Sequence, residues 1–142
     1  MNFSKRVLLA LILLTFSFPA LAKCPMGTVK VHGRVVDLPT GAASAEVTVT
    51  LETPKGAKSL TVPVSNGEFS TEIQFGTQSA SYFPPWGHRC NSMPKSVEVK
   101  VMMGSRVVGQ SRLVFKDEFE PESPNVYRLK RELTIKASRE GG

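Results

Sequence analysis

The sequence lacks the features that would indicate a membrane-spanning protein, a nucleic-acid-binding protein or a recognisable hydrolase. No apolar run reaches the roughly 20 residues that a bilayer-spanning helix requires. The formal net charge is +6, yet the basic residues are spread among acidic ones, and no arginine-rich run suited to a phosphate backbone occurs. No G-x-S-x-G elbow or ordered Ser/His/Asp arrangement is present either. We therefore expect no transmembrane segment in the mature chain, no nucleic-acid partner, no catalytic residue and no cofactor.

The first 22 residues have the pattern of a cleaved export signal. Met1–Arg6 is short and basic, Val7–Phe18 is apolar, and Ala20–Ala22 offers small residues at the positions that a signal peptidase inspects. We predict a signal peptide over 1–22. The remainder, 23–142, has the length of a single domain, and we expect it to be periplasmic or secreted.

Cysteine is scarce, because Cys24 and Cys90 are the only two in the chain. Both lie in the exported part, where an oxidising compartment favours pairing, so a Cys24–Cys90 disulfide is predicted. Lys23 before Cys24 disfavours lipoprotein processing. The alternative is a thiolate metal ligand at Cys90, with His88 two residues before it and Met93 three after it.

Apolar residues occur at every second position through most of the exported part, which is the pattern of strands with one buried face. Asn66-Gly67 indicates a tight hairpin between two of these segments. The acidic, proline-containing stretch Lys116–Asn125 reads as a solvated connection. We predict an all-β, antiparallel seven-stranded β-sandwich with little helix, its strands at Val29–Val35, Val47–Leu51, Leu60–Val64, Phe69–Phe75, Val97–Val101, Val107–Phe115 and Tyr127–Ile135.

The segment Val31–Glu52 (VHGRVVDLPTGAASAEVTVTLE) followed by Ser65–Phe69 (SNGEF) resembles the opening half of transthyretin-like and carboxypeptidase-regulatory-like domains. In those families a strand ends in aspartate, a threonine-glycine turn follows, then a valine-rich strand, and an Asn-Gly or Asp-Gly precedes an aromatic residue. The match covers about a third of the mature chain. The resemblance implies a transthyretin-like fold.

One branch of that superfamily hydrolyses 5-hydroxyisourate, and its members carry a histidine just before the first Val-x-Asp and a terminal Tyr-Arg-Gly-Ser. Here Arg34 occupies the first position, His32 lies two residues earlier, and the chain ends Ser138–Gly142 (SREGG). The catalytic residues of that branch are therefore not transferred. A hydroxyisourate-hydrolase-like enzyme stays as the alternative function.

Two groups of residues are candidates for binding. The long irregular stretch 76–95 holds Tyr82, Phe83, Trp86 and His88, and its aromatic rings and prolines are typical either of a recognition loop or of a cover over one end of a sandwich. His32 and Arg34, with Lys30, form a basic stripe on one strand face. That stripe is suited to an anionic ligand, or it only keeps the face hydrated.

Methionines and histidines suggest a second alternative, a periplasmic copper-binding protein, because thioether and imidazole ligands suit Cu(I). The set comprises Met26, Met93, Met102, Met103, His32 and His88, and it contains no repeated His/Met motif. No metal site is therefore assigned. The sequence favours a non-catalytic binding or protein-interaction module whose partner is a protein or small molecule of the cell envelope.

Overall fold

The computed structural model describes residues 24–39, 44–78 and 90–138, and nearly all of the regular structure there is β-strand. The predicted signal peptide, 1–22, lies outside these ranges. The elements are β1 (Met26–Val36), β2 (Ala45–Thr53), β3 (Gly56–Pro63), β4 (Glu68–Gly76), β5 (Ser96–Met103), β6 (Arg106–Val114), the one-turn helix α1 (Phe115–Glu118), β7 (Phe119–Ser123), β8 (Val126–Leu129) and β9 (Leu133–Lys136). The prediction of an all-β chain with little helix is confirmed.

The strands form two sheets. In the first sheet the order is β4-β1-β8-β7, with β9 also paired to β1, and in the second it is β3-β2-β5-β6. One edge of β1 pairs antiparallel with β4 from Met26 to Arg34. The other edge pairs with β8 over Thr28–Lys30 and with β9 over Gly33–Val36, both in parallel. Strand β1 is thus the centre of the first sheet.

The two sheets share one hydrophobic core. Alternate residues of β1, β2 and β5 are fully buried, as the period-two pattern requires. Buried residues from both sheets belong to the same cluster. Its fully buried valines and leucine are Val29, Val31, Val47, Val49, Leu51, Val97, Val99 and Val101. Each such side chain stabilises the fold by roughly 1.5–3 kcal/mol relative to an exposed one.

The tight turn predicted at Asn66-Gly67 is confirmed, but the strands on either side of it do not pair with each other as a hairpin. Both residues have positive φ, 53° and 75°, which asparagine and glycine tolerate better than other residues. Ser65 and Glu68 form a backbone bridge around the turn. Strands β3 and β4, which belong to different sheets, follow one another through this turn, so it carries the chain from one sheet to the other.

The predicted count of seven strands was wrong, because the described residues contain nine. Part of the supposed solvated connection is β7, and Pro121 is tolerated there because β7 lies at the edge of its sheet. The supposed last strand, Tyr127–Ile135, is two short strands, β8 and β9, which succeed one another along the same edge of β1.

The prediction of purely antiparallel pairing was wrong as well, since β8 and β9 both run parallel to β1. Close approach at Gly33 helps to explain the pairing with β9. A Cβ placed on Gly33 would meet the backbone oxygen of Leu133, so only glycine leaves room for β9 at this distance. Within the described ranges, no helix is both long and apolar enough to cross a membrane.

Candidate functional site

The predicted disulfide is present and braces one end of the fold. It joins Cys24, just before β1, to Cys90, 66 residues later. Two hydrogen bonds add to this brace: the Thr77 hydroxyl donates to the Pro25 carbonyl at 2.6 Å, and the Ser92 amide donates to the Thr77 carbonyl at 2.9 Å. The chain entering and leaving the segment 79–89 is therefore fixed beside the start of β1. A disulfide is compatible with an extracellular or periplasmic location.

An apolar groove of about 570 Å³ opens at this braced end. We define it by six apolar or aromatic side chains and two lysines. They are Met93, Pro94, Phe115, Phe119, Pro121 and Tyr127, with Lys95 and Lys116. The volume lies within the range of small-molecule sites, and a mostly apolar lining with few polar groups is typical of them.

The helix α1 places the aromatic side chains of the groove. It carries the chain from β6 in the second sheet to β7 in the first, so Phe115 and Phe119 lie where the two sheets meet. Their rings stack with centroids 4.9 Å apart. The Tyr127 ring meets Phe115 edge-on at 5.3 Å. Because Phe115 and Phe119 are almost fully buried while Tyr127 is half-buried, the aromatic cluster forms a firm wall.

The two lysines of the groove carry no ion pair with any described residue. The carboxylate of Glu52 does not form an ion pair with either lysine, because other groups bind it. Glu52 accepts hydrogen bonds from the Ser96 hydroxyl at 2.7 Å and from Arg112 at 2.9 Å. The Ser96 bond, followed by the charges of Arg112 and Lys95, lowers the pKa of Glu52 against the opposing effect of burial. Glu52 is thus engaged by other partners, and Lys95 acts on it only at a distance.

The basic stripe predicted on β1 is matched by acidic neighbours. Arg34 donates from Nε to Glu132 at 3.0 Å, and its Nη2 lies 3.4 Å from Glu68. Lys30 lies 2.8 Å from Glu122, and this hydrogen bond is the main reason that the pKa of Glu122 is lowered. An anion would have to compete with these carboxylates. The arrangement favours the interpretation that the stripe keeps this face hydrated.

His32 lines a separate, shallow depression of about 440 Å³ on the outer face of the first sheet. Its neighbours there include Glu68, Glu132 and Asn66. The His32 side chain is exposed, and none of the described residues forms a hydrogen bond with it that would orient the imidazole. This depression does not share a lining residue with the apolar groove.

The other predicted binding residues, Tyr82, Phe83, Trp86 and His88, lie outside the described residues. Their role stays a prediction. The neighbouring parts of the predicted long loop, 77–78 and 90–95, form no strand or helix.

The candidate copper ligands are dispersed in the described part of the chain. Met26 and Met93 lie near the braced end, whereas Met102 and Met103 end β5, roughly 23 Å along that strand from its start at Ser96. Met103 packs against the core. Among the described residues, no group of three or more His, Cys, Asp or Glu side chains is arranged to hold a metal ion. His88 is outside those residues.

The groove residues of α1 and β7 were missed at the sequence level. Lys116–Asn125 was interpreted as a solvated connection because acidic residues and prolines dominate it, yet Phe119 within it is buried. The available signal was the spacing of Phe115 and Phe119, four residues apart, which places two aromatic rings on one side of a helical turn.

Compared with known proteins, the chain matches no family model, no curated protein and no solved structure. The transthyretin-like resemblance therefore stays a prediction, and function is argued from the site itself.

Proposed function

We propose that this chain is an exported, non-catalytic binding module with a transthyretin-like β-sandwich fold, and that the apolar groove is its binding surface. The observation that carries the proposal is the groove itself, a cavity of about 570 Å³ with an aromatic wall at the disulfide-braced end. A cavity of this size with a mostly apolar lining and a few polar groups is typical of ligand-binding sites.

The fold supports the proposal at the coarse level. Two sheets share a core, as in a sandwich, and Asp37 follows β1 with a φ of 60°. The Asn66-Gly67 turn comes just before Phe69, in keeping with the Asn-Gly that precedes an aromatic residue in those families. The disulfide and the signal-like residues 1–22 support export.

Site-directed photocrosslinking tests the binding surface. A photoreactive benzoylphenylalanine replaces Met93, which lines the groove and is 41% exposed. The matched control carries the same group at Met26, which is 54% exposed near the same end but does not line the groove. Irradiation of cells exporting each variant is expected to give a defined adduct from position 93 only. Equal adducts at both positions, or none at either, would contradict the proposal.

Two further assays separate the module from the alternative functions. Purified protein incubated with 5-hydroxyisourate is expected to show no turnover above the uncatalysed rate. Turnover that disappears in His32→Ala would replace the proposal by the hydroxyisourate-hydrolase-like enzyme. Stoichiometric copper retained through gel filtration, and lost in Met93→Ala or His88→Ala, would replace it by the copper-binding protein.

The aromatic residues of the long loop enter the same assay. If Trp86 adds to the binding surface, Trp86→Ala is expected to reduce the adduct at position 93 while leaving the thermal midpoint nearly unchanged. A large fall in the midpoint with an unchanged adduct would assign the residue a structural role.

A further inference from the structure

We infer that the apolar groove binds a single-chain anionic amphiphile, a molecule that joins an apolar chain or ring to one negatively charged head group. The inference rests on the proposed function and specifies its ligand class. It combines two independent features of the groove, the chemistry of its wall and the unmatched charge at its mouth.

The wall is suited to an apolar body and poorly suited to a peptide. Apart from the two lysines and the Tyr127 hydroxyl, the lining side chains are those of methionine, proline and phenylalanine, which offer no strong hydrogen-bonding group. These side chains give a peptide backbone no partners for its amide and carbonyl groups, and each such group left unpaired in a buried position costs about 1–3 kcal/mol. A hydrocarbon chain has no such groups to satisfy.

The charge at the mouth favours an anionic head group. Lys95 and Lys116 are exposed and line the groove, and neither forms an ion pair with a described residue. Asp117 and Glu118 follow Lys116 in α1 but do not line the groove. Of the neighbouring cations, Arg112 is bound by Glu52, and Lys130 donates to the Asp117 carbonyl at 2.6 Å.

Methyl NMR locates the ligand without assuming where it binds. The chain after residue 22 contains four methionines, of which only Met93 lines the groove. With ¹³C-labelled methionine methyl groups, dodecanoate below its micelle concentration is expected to shift the Met93 signal. The signals of Met102 and Met103, at the far end of β5, are expected to stay in place and serve as internal controls.

Head-group charge is tested with three ligands that share a twelve-carbon chain. Dodecanoate is anionic, dodecyl maltoside is neutral and dodecyltrimethylammonium is cationic. Isothermal titration calorimetry is expected to show the highest affinity for dodecanoate, a lower affinity for dodecyl maltoside and the lowest for dodecyltrimethylammonium. Raising the salt concentration is expected to weaken the binding of dodecanoate alone, because the attraction between exposed charges is screened over about 8 Å at physiological ionic strength.

Lysine variants assign the charge effect to the groove. Lys116→Gln and Lys95→Gln are each expected to weaken dodecanoate by about 1.5- to 5-fold, the range of a solvent-exposed ion pair, and to leave dodecyl maltoside unchanged. Lys100→Gln is the matched control, because Lys100 lies on β5 away from the groove and pairs with Glu98. It is expected to change neither affinity.

The outcomes separate this inference from the proposed function. Equal affinity for all three head groups, or equal loss in Lys100→Gln, overturns the anion preference and leaves the binding module standing. Failure of every amphiphile while position 93 still crosslinks a protein overturns the ligand class alone. Binding that emerges only in Trp86→Ala would show that residues 79–89 of the chain itself occupy the groove. Binding to anionic phospholipid vesicles without a shift of the Met93 signal would show that the two lysines bind a membrane surface and not a ligand in the groove. Either this result or binding seen only in Trp86→Ala would contradict the inference.

Discussion

Removing the disulfide is expected to lower the free energy of unfolding by about 4 kcal/mol while leaving the folded structure intact. The double variant Cys24→Ser/Cys90→Ser makes this change without leaving a free thiol. The bond closes a loop of 66 residues, and in the chain-entropy account the stabilisation arises from restricting the unfolded chain. The folded state should persist, because β1 begins at Met26 and pairs with β4 as far as Arg34.

Urea denaturation followed by far-ultraviolet circular dichroism measures the loss. With a slope near 2 kcal/mol per molar urea, typical of a small domain, the midpoint is expected to fall by about 2 M. The slope itself is expected to rise, because the unfolded chain without its cross-link exposes more surface. The spectrum before the transition is expected to match that of the wild type.

The matched control removes a non-covalent link at the same place. Thr77→Val deletes the hydroxyl that donates to the Pro25 carbonyl, and it is expected to cost about 1 kcal/mol. If the double cysteine variant loses no more than Thr77→Val, the loop-closure reasoning is refuted. A β-sheet spectrum that disappears before any urea is added would refute the claim that strand pairing alone holds β1.

Three further predictions concern the core, a close approach and a titrating group. Val49→Ala, at a fully buried position, is expected to cost about 2–3 kcal/mol in the same urea assay, since it leaves a cavity. Gly33→Ala is expected to lower the free energy of unfolding by roughly 1–3 kcal/mol, because its Cβ meets the backbone of β9. In the control Gly76→Ala the Cβ enters open space, and the free energy of unfolding should change by no more than about 0.5 kcal/mol. Equal losses in the two variants would contradict the packing argument. Ser96→Ala is expected to raise the pKa of Glu52 towards its ordinary value of 4.5 in a carboxyl NMR titration. Because the folded pKa of Glu52 is lowered, its stabilising effect is fully present above that ordinary value and is lost as the pH falls through the folded pKa. Glu52→Gln should therefore destabilise the protein at pH 7, and the difference from the wild type should shrink as the pH falls below 4.5.

The sequence was most informative where one strand face is buried and the other is wet. Period-two alternation located β1, β2, β4 and β5, because burial of one face in a shared core imposes that period on these strands. The turn at Asn66-Gly67 was predictable for a local reason, the tolerance of both residues for positive φ.

The region after β6 was not predictable in the same way, because its structure depends on partners far along the chain. Strands β7 to β9 are short, and the acidic residues of β7 give no alternation strong enough to separate an edge strand from a loop. The parallel pairing with β1 follows from the crossover through α1, which no local pattern reveals.

The same limit applies to the groove. Phe115 ended a predicted strand and Phe119 lay in a predicted loop, so nothing in the sequence placed both beside Tyr127. The disulfide, in contrast, followed from there being only two cysteines in a chain that the sequence predicts to be exported.

The divided edge of β1 has a consequence for how quickly the chain reaches its native state. One edge of β1 pairs with β4, which lies near the middle of the chain, but its other edge pairs with β8 and β9, which lie roughly a hundred residues after β1 in the sequence. Contacts so distant in sequence slow the search for the native topology, and in the meantime an unpaired edge stands open to other polypeptides. A folding intermediate in which β1 is paired with β4 alone would therefore be the species most prone to aggregate, and the one that a chaperone would need to bind.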